Sequence, residues 1–324
     1  MNLDFSAINE SKNLLAFSAG VDSCALFFLL QNKNIPFDIA IVNYNTREQS
    51  KEELHYAKDL AKKYNKKIFI KDVQIENFSN FEKKARDIRY SFFENLISTY
   101  NYNTLITAHQ LNDKLEWFMM QLSKGAGLIE LIGFNTWEIK QNYKIFKPML
   151  DITKQELLEY LKEQEIKYFV DESNYDEKYK RNYFRHNFSE KFLDEFKDGV
   201  KNSFKYLEND LGSLNITNEA IFEKEELEVF ENKNDDNINI RIIDLNLKKR
   251  GFLLSAATRK EILEKKDLVI SHKISIGIND KYIFIAPYIS NVSMDKKFKE
   301  KCRVKKIPKN IRAYLFYKKI DLVI

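Results

Sequence analysis

The residues best suited to chemistry sit in one short run, Phe17-Ser18-Ala19-Gly20-Val21-Asp22-Ser23, which combines two hydroxyls, a carboxylate and a glycine. The apolar residues Leu14, Leu15 and Ala16 before it read as a buried strand. The apolar stretch from Cys24 to Leu30 reads as a helix starting near Asp22. A loop feeding a helix N-terminus points unpaired backbone N–H groups outward, which suits a phosphate or pyrophosphate. The run matches neither G-x-x-x-x-G-K-[ST] nor G-x-G-x-x-G, so it is neither a Walker loop nor a dinucleotide fingerprint. Serine and aspartate also cap ordinary helices, and the run by itself leaves that use open.

A second group of candidates lies in Thr107-Ala108-His109-Gln110-Leu111-Asn112-Asp113-Lys114-Leu115-Glu116. Asp113 and Glu116 stand three apart near a helix start, so both carboxylates project from one face, with Leu115, Phe118, Met119 and Leu122 as the buried stripe behind them. Two such acids could bind an ammonium group or hold magnesium. The helix dipole also favours acids there, so the spacing leaves a purely structural role open. His109, at a strand end, could contact a nucleotide or be a satisfied half-buried histidine. Two arginine pairs complete the set. Arg86 and Arg89 share a face at a spacing of three, and Arg181 and Arg185 share one at a spacing of four. Either could meet phosphate, and either could be a plain basic helix face.

Positioning these groups requires strands and helices in alternation. Strands are expected at 13–18, 37–43, 67–73 and 104–108, and helices at 22–32, 50–64, 81–99 and 112–123. That order argues for a parallel sheet with helices on both faces. Ligands in such sheets bind beyond the carboxyl ends of the strands, where 18–23, 43–47 and His109 fall. Residues 154–165 read as another helix and 181–196 begin a further helical stretch. The expected domains are 1–207, an acidic linker over 208–237 and a small α+β domain over 238–324. In the last, 238–247, 255–264, 268–276 and 282–285 are the candidate elements. The tail 296–319 is rich in Lys and Arg interleaved with Phe298, Tyr314, Phe316 and Tyr317, a pattern that fits an RNA-facing patch or a solvated surface.

Composition sets the outer limits. The 324 residues suffice for two domains with a real core. No apolar stretch reaches the roughly 18 residues of a membrane span, and residues 1–13 lack a signal-peptide pattern. Cys24 and Cys302 are the two cysteines, far apart and without C-x-x-C spacing, and the four histidines are scattered. These facts argue against a disulfide framework, a zinc site or an iron–sulfur cluster, and they fit a reducing cytoplasm. A net charge of +5 is compatible with an RNA partner without demanding one.

The loop at 18–23 resembles the S-G-G-x-D-S pyrophosphate loop of the ATP-pyrophosphatase superfamily, with Ala19 in place of the first glycine. Taken in order, the segments look like the tRNA(Ile)-lysidine synthetase family. That family joins such a loop to A-H-H-x-D-D-x-x-E-T, A-R-x-x-R-Y, a glycine-rich piece, an R-P-L turn and D-x-S-N…R-N-x-x-R. Here the corresponding residues run from Ala108 to Glu116, from Ala85 to Tyr90, Lys124-Gly125-Ala126-Gly127, Lys147-Pro148-Met149, and from Asp171 to Asn174 with Arg181 to Arg185. The departures are Ala19, Gln110, Asn112, Trp117, Lys147, and Tyr44 in place of a usual histidine.

The resemblance implies a doubly wound, mostly parallel sheet with a smaller C-terminal α+β domain that binds tRNA. The implied reaction is ATP-dependent ligation of L-lysine to C2 of the wobble cytidine, position 34, of tRNA(Ile) bearing a CAU anticodon. It would proceed through an adenylated tRNA and release AMP and pyrophosphate. ATP and Mg2+ are the implied cofactors. Ser18, Ala19, Gly20, Val21, Asp22, Ser23 and His109 would meet ATP, and Asp22 would also meet the metal. Asp113 and Glu116 would hold the lysine, with Asp22, Arg89, Arg181 and Arg185 completing the catalytic set and Arg86 a lesser candidate. A homodimer is compatible with the family, and no membrane partner is expected. The alternatives are a tRNA 2-thiolation enzyme of the same superfamily or a non-catalytic tRNA-binding relative.

Overall fold

The computed structural model describes residues 3–45, 49–74, 81–170, 180–214 and 219–322. Two compact units divide the chain, Met1–Leu211 and Gly212–Ile324.

In the first unit, strands β1 (Asn13–Ala16), β2 (Phe37–Asn43), β3 (Ile68–Asp72), β4 (Thr104–Ile106), β5 (Trp137–Ile139) and β6 (Lys144–Phe146) form one sheet in the order β3-β2-β1-β4-β6-β5. All neighbours pair in parallel except β5, which joins β6 as an antiparallel edge. The sheet therefore confirms the expected doubly wound, mostly parallel architecture. The β5–β6 hairpin is an addition. Its strands are three residues long, too short to show a period in the sequence.

Helices α1 (Val21–Asn32), α2 (Gln49–Lys63), α3 (Phe81–Tyr100), α4 (Leu111–Leu122), α5 (Leu128–Leu131) and α6 (Lys154–Glu163) connect the strands. Helix α1 is apolar nearly all round, and Cys24, Ala25, Leu26, Phe27, Leu29 and Leu30 are all buried. It sits in the core with Leu15, Ile39, Ile41, Leu157 and Leu161. After β3 the chain returns to the far side of β1, so the winding direction reverses between β1 and β4. The crevice at that reversal, beyond the C-terminal ends of the two strands, is where such sheets take ligands. The loops at 17–20 and 107–110 both open onto it.

The unit ends in a nearly continuous helical stretch of α7 (Lys180–Phe184), a π turn (Arg185–Ser189) and α8 (Glu190–Ser213). Leu193, Val200 and Phe204 on it pack with Leu111 and Leu115 of α4. That contact sets α7 beside the helix carrying Asp113 and Glu116.

The second unit holds an antiparallel sheet of β7 (Phe222–Lys224), β8 (Leu227–Glu231), β9 (Asp267–Ile270), β10 (Ile274–Ile278) and β11 (Tyr282–Pro287), ordered β7-β8-β11-β10-β9. Helices α9 (Asp236–Lys249) and α10 (Ala256–Lys265) bring Ile242, Ile243, Leu247 and Ile262 to one core. Helices α11 (Lys296–Val304) and α12 (Lys309–Tyr317) bring Cys302, Ile311, Tyr314 and Leu315 to another. Gly277 is required by this packing, because a Cβ there would lie 2.3 Å from the Pro308 Cβ.

Two expectations change here. The stretch 208–237 is not a linker throughout: α8 runs on to Ser213, β7 and β8 lie within the acidic part, and α9 begins at Asp236. In β8, Leu227 and Val229 on one face and Phe230 on the other are all buried, so the strand is covered on both sides and its acids sit only half-buried at Glu228 and exposed at the end, Glu231. Residues 268–276 are likewise two strands, parted by a turn in which Ser271 and His272 take φ of 50° and 53°. No glycine or asparagine marks that turn in the sequence.

Candidate active site

The loop after β1 is shaped by its own hydroxyls. The Ser18 N–H donates to Ser23 Oγ at 3.2 Å, the two Oγ atoms lie 3.2 Å apart, and Ser23 Oγ donates to the Gly20 carbonyl at 3.1 Å. Gly20 is the N-cap residue of α1 and provides no side-chain cap, so the first-turn N–H groups of Val21, Asp22 and Ser23 face the crevice without one. The Phe169 N–H donates to the Ala19 carbonyl at 2.9 Å, which clamps the loop from outside. Ala19 takes φ of 59°, the left-handed region that favours glycine, and its methyl is fully buried. The backbone at 19 is thus glycine-like although the residue is alanine.

Asp22 stands at the mouth of this loop. Its Oδ1 is buried with no hydrogen-bond partner among the described residues. Burial, then the neighbouring Asp113 charge, push its carboxyl up to about 7, while Lys154 and Arg185 oppose the shift. A buried carboxylate oxygen without a donor calls for a proton or a cation to satisfy it.

Across the crevice, Gln110 caps α4: its Oε1 accepts from the Asn112 N–H at 2.7 Å, and Asp113 Oδ2 accepts from the Gln110 N–H at 2.9 Å. Asp113 Oδ1 also pairs with Arg181 Nη2. Glu116, fully buried, accepts from Arg181 Nε at 2.7 Å and from Arg185 Nε and Nη2 at 2.8 and 3.3 Å. Burial opposes the charge of Asp113, yet Arg181 and His109 hold it below the usual carboxylate range. Burial likewise opposes the charge on Arg185, and Glu116 more than compensates. The structure therefore brings Asp22, Asp113, Glu116, Arg181 and Arg185 to one place, with Ser18–Ser23 on its other wall. A carboxylate offers about four lone-pair positions, so Asp113 and Glu116 keep acceptor capacity beside their arginines.

His109 follows β4. Its Nδ1 lies 2.9 Å from Thr107 Oγ1 and its ring meets Phe134 edge-on at 5.4 Å. Burial, then the charges of Lys147, Arg181 and Arg86, hold it down to about 4, so the imidazole is neutral at pH 7. Arg89 is exposed on α3, with its charge felt by Tyr44. Arg86, on the same helix, is close enough to act on His109 and lies over the Tyr90 ring at 5.4 Å. The segment from Asp171 to Asn174 lies outside the described residues, as do Thr46, Arg47 and Glu48.

The departures from the motif have structural employment. Asn112 Oδ1 accepts from the Lys154 N–H at 3.1 Å and so ties α4 to the start of α6. Trp117 Nε1 donates to the Glu130 carbonyl at 2.8 Å, and the buried Lys147 pairs with Glu138 at 3.0 Å. Tyr44 donates its hydroxyl to the Ala85 carbonyl at 2.7 Å, joining the end of β2 to α3. Lys154 is a site residue that sequence reasoning missed. Thr153 and Glu156 form a capping box around it, and that T-x-x-E spacing was the available signal.

Residues 3–192 match the family model for the PP-loop domain, which covers more than half the chain. A tRNA(Ile)-lysidine synthase of Campylobacter jejuni (strain RM1221) is 46% identical over 97% of this chain and 95% of its own length. One of Helicobacter pylori (strain ATCC 700392 / 26695) is 40% identical over 95% of this chain and 90% of its own. Among solved structures, the U34-tRNA thiolase NcsA from Methanococcus maripaludis with its [4Fe-4S] cluster superposes with a TM-score of 0.53. It has 18% identity and covers 63% of this chain and 74% of that one, a likeness of fold alone.

Proposed function

Since the chain belongs to the tRNA(Ile)-lysidine synthase family and carries its PP-loop domain, we propose that the loop and the acid–arginine cluster divide the two halves of the reaction between them. The protein is an ATP-using ligase that acts on tRNA(Ile) and lysine. The cytosine C2 carbonyl is a poor electrophile. Attack of its oxygen on the α-phosphorus of ATP releases pyrophosphate and turns that oxygen into a good leaving group. Attack of the lysine ε-amine at C2 then forms the new C–N bond and expels AMP.

Ser18, Ser23 and the first-turn N–H groups of α1 receive the phosphates, where preorganised donors cost nothing at the moment of reaction. Ala19, Gly20 and Val21 shape that cradle, and His109, kept neutral, contacts the nucleotide. The orphaned Asp22 Oδ1 fits a magnesium ion, which takes one or two carboxylates together with substrate phosphates. When bound, the ion supplies charge neutralisation to the phosphates. Asp113 and Glu116 hold the lysine ammonium. An amine of ordinary pKa near 10.4 must lose its proton before it attacks, and the acids beside it offer an acceptor. Arg181 and Arg185 balance the phosphates, and Arg89 meets the anticodon loop farther out. The C-terminal unit contributes tRNA contacts through its basic α11 and α12. The one observation that carries this reading is the orphaned Asp22 carboxylate, a member of the loop that is close enough to Asp113 and Glu116 to feel their charges.

A thiolation enzyme would need an accessible thiolate. Both cysteines are buried, and burial pushes both thiols up. Incubation with ATP, labelled lysine and the two CAU-anticodon tRNAs, followed by nucleoside analysis, is the test. Lysidine in tRNA(Ile), with AMP and pyrophosphate released in step, is expected; tRNA binding without turnover would make the chain a non-catalytic relative. Asp113→Ala should lower lysine incorporation more than about 100-fold while ATP affinity stays within about threefold.

A further inference from the structure

Aromatic rings stand exposed on the same helical turns that carry Arg181 and Arg185. Tyr183 and Phe188 keep 45% and 43% of their surface in solvent. With the half-buried Phe184 they form a cluster whose centroids are 5.8, 5.8 and 5.6 Å apart. Their planes meet at 84°, 64° and 36°, so none of the three is sandwiched flat against another. Lys180 lies over the Phe184 ring at 5.7 Å. Farther along, Leu193, Val200 and Phe204 of α8 pack with α4, while among the described residues Tyr183, Phe184 and Phe188 belong to none of the hydrophobic clusters. The fold therefore does not need these rings for its interior.

We propose that Tyr183, Phe184 and Phe188 are a stacking platform for the anticodon-loop bases that flank the modified cytidine, an inference that rests on the preceding functional reading. A target base that reaches Asp113 and Glu116 must pass the arginines that hold them. Its neighbours in the loop then lie over the adjoining turns, which carry the rings. Single-stranded RNA is gripped by this alternation of π faces with cationic and amide groups, here Lys180, Arg181, Arg185 and Asn187. The core of a protein–protein interface is instead depleted of charge, which disfavours a second copy as the occupant.

The test uses the full chain and a stem-loop RNA with a CAU anticodon whose middle adenine is replaced by 2-aminopurine. Binding to the unmodified protein should quench the fluorescence by stacking. Tyr183→Ala and Phe188→Ala should each remove most of the quench and weaken RNA binding by about tenfold to hundredfold. They should raise the KM for tRNA and leave those for ATP and lysine unchanged. Phe188→Trp should behave as the native protein. Phe188→Leu, which keeps apolar area but has no ring, should behave as the alanine variant. Unchanged quench and affinity in both alanine variants would overturn the proposal. So would a change in oligomeric state by light scattering with RNA affinity intact, which assigns the rings to a second copy. Lysidine formation by the native protein on whole tRNA(Ile), measured in parallel, tests the underlying reading separately. Its absence beside a quench that depends on Phe188 sinks that reading and leaves the platform standing.

Discussion

The side-chain hydrogen bonds of the loop after β1 join partners at most five residues apart, Ser18 with Ser23 and Ser23 with Gly20, and one backbone bond from Phe169 clamps it from afar, whereas the ion pairs facing it all join residues 65 to 69 positions apart. The first structure is local: once β1 and α1 form, the hydroxyls have few other places to go. The second exists only when α7 has docked on α4, and it dissolves when the chain unfolds. Substitutions in the cluster should therefore cost stability as well as activity, while substitutions in the loop should cost activity with little or no loss of stability. The same contrast separates the two serines, whose partners lie within the loop, from Asp22, whose charge is set by residues far along the chain.

Glu116→Ala offers the severest test. It strips both arginines of a fully buried partner and should destabilise the protein by about 3–5 kcal/mol in urea unfolding. A loss below about 1 kcal/mol would break the contrast, because the cluster would then be no more than a surface arrangement.

Asp22→Asn should move stability the other way. The folded carboxyl is pushed up to about 7, against an ordinary value of 3.8 in the unfolded chain. The contribution of Asp22 is therefore fully present below pH 4 and is lost as pH rises through 7. Removing the ionisable group should leave stability at pH 4 almost unchanged and raise it by about 1–3 kcal/mol at pH 8, with activity abolished. Thermal unfolding at the two pH values checks the sign. A variant less stable at pH 8 than the native protein would show that Asp22 already has a partner.

The smallest effect is expected at Ala19→Gly. Relief of a left-handed alanine is worth about 1–2 kcal/mol, offset by a lost buried methyl of about 0.8 and by the unfolded-state entropy of glycine at about 0.4–1. The net change should lie within about 1 kcal/mol of zero, with the KM for ATP unaltered. A large gain in ATP affinity would mean that alanine distorts the cradle.

Much of this was legible in the residues. The apolar runs of β1, β2 and α1 announced a buried parallel sheet, and Ser18, Asp22 and Ser23 announced an anion loop at its end. Asp113 and Glu116 were visible as a pair, but their arginine partners were not. Spacing along a helix shows which residues share a face and not what that face meets. The T-x-x-E spacing marks Lys154 as the first residue of a helix, but its influence on Asp22 comes from α6 packing beside α1, a long-range contact that spacing does not report. The acids of 219–231 mask β7 and β8, because strands of three and five residues leave little period against a charged background, and pairing of β8 with β11 is what makes it a strand.

The sequence alone determined the order of elements from β1 to α4, the tight turn after β1 and the resemblance to the family, since short-range sterics, hydrophobic period and motif spacing are properties of neighbouring residues. Which carboxylate is held by arginine, which is buried without a hydrogen-bond donor, and which rings remain in water were decided only by the tertiary structure. Those outcomes depend on burial and on charges brought together across the fold, and Coulomb and desolvation energies follow distance in space, which sequence separation does not report.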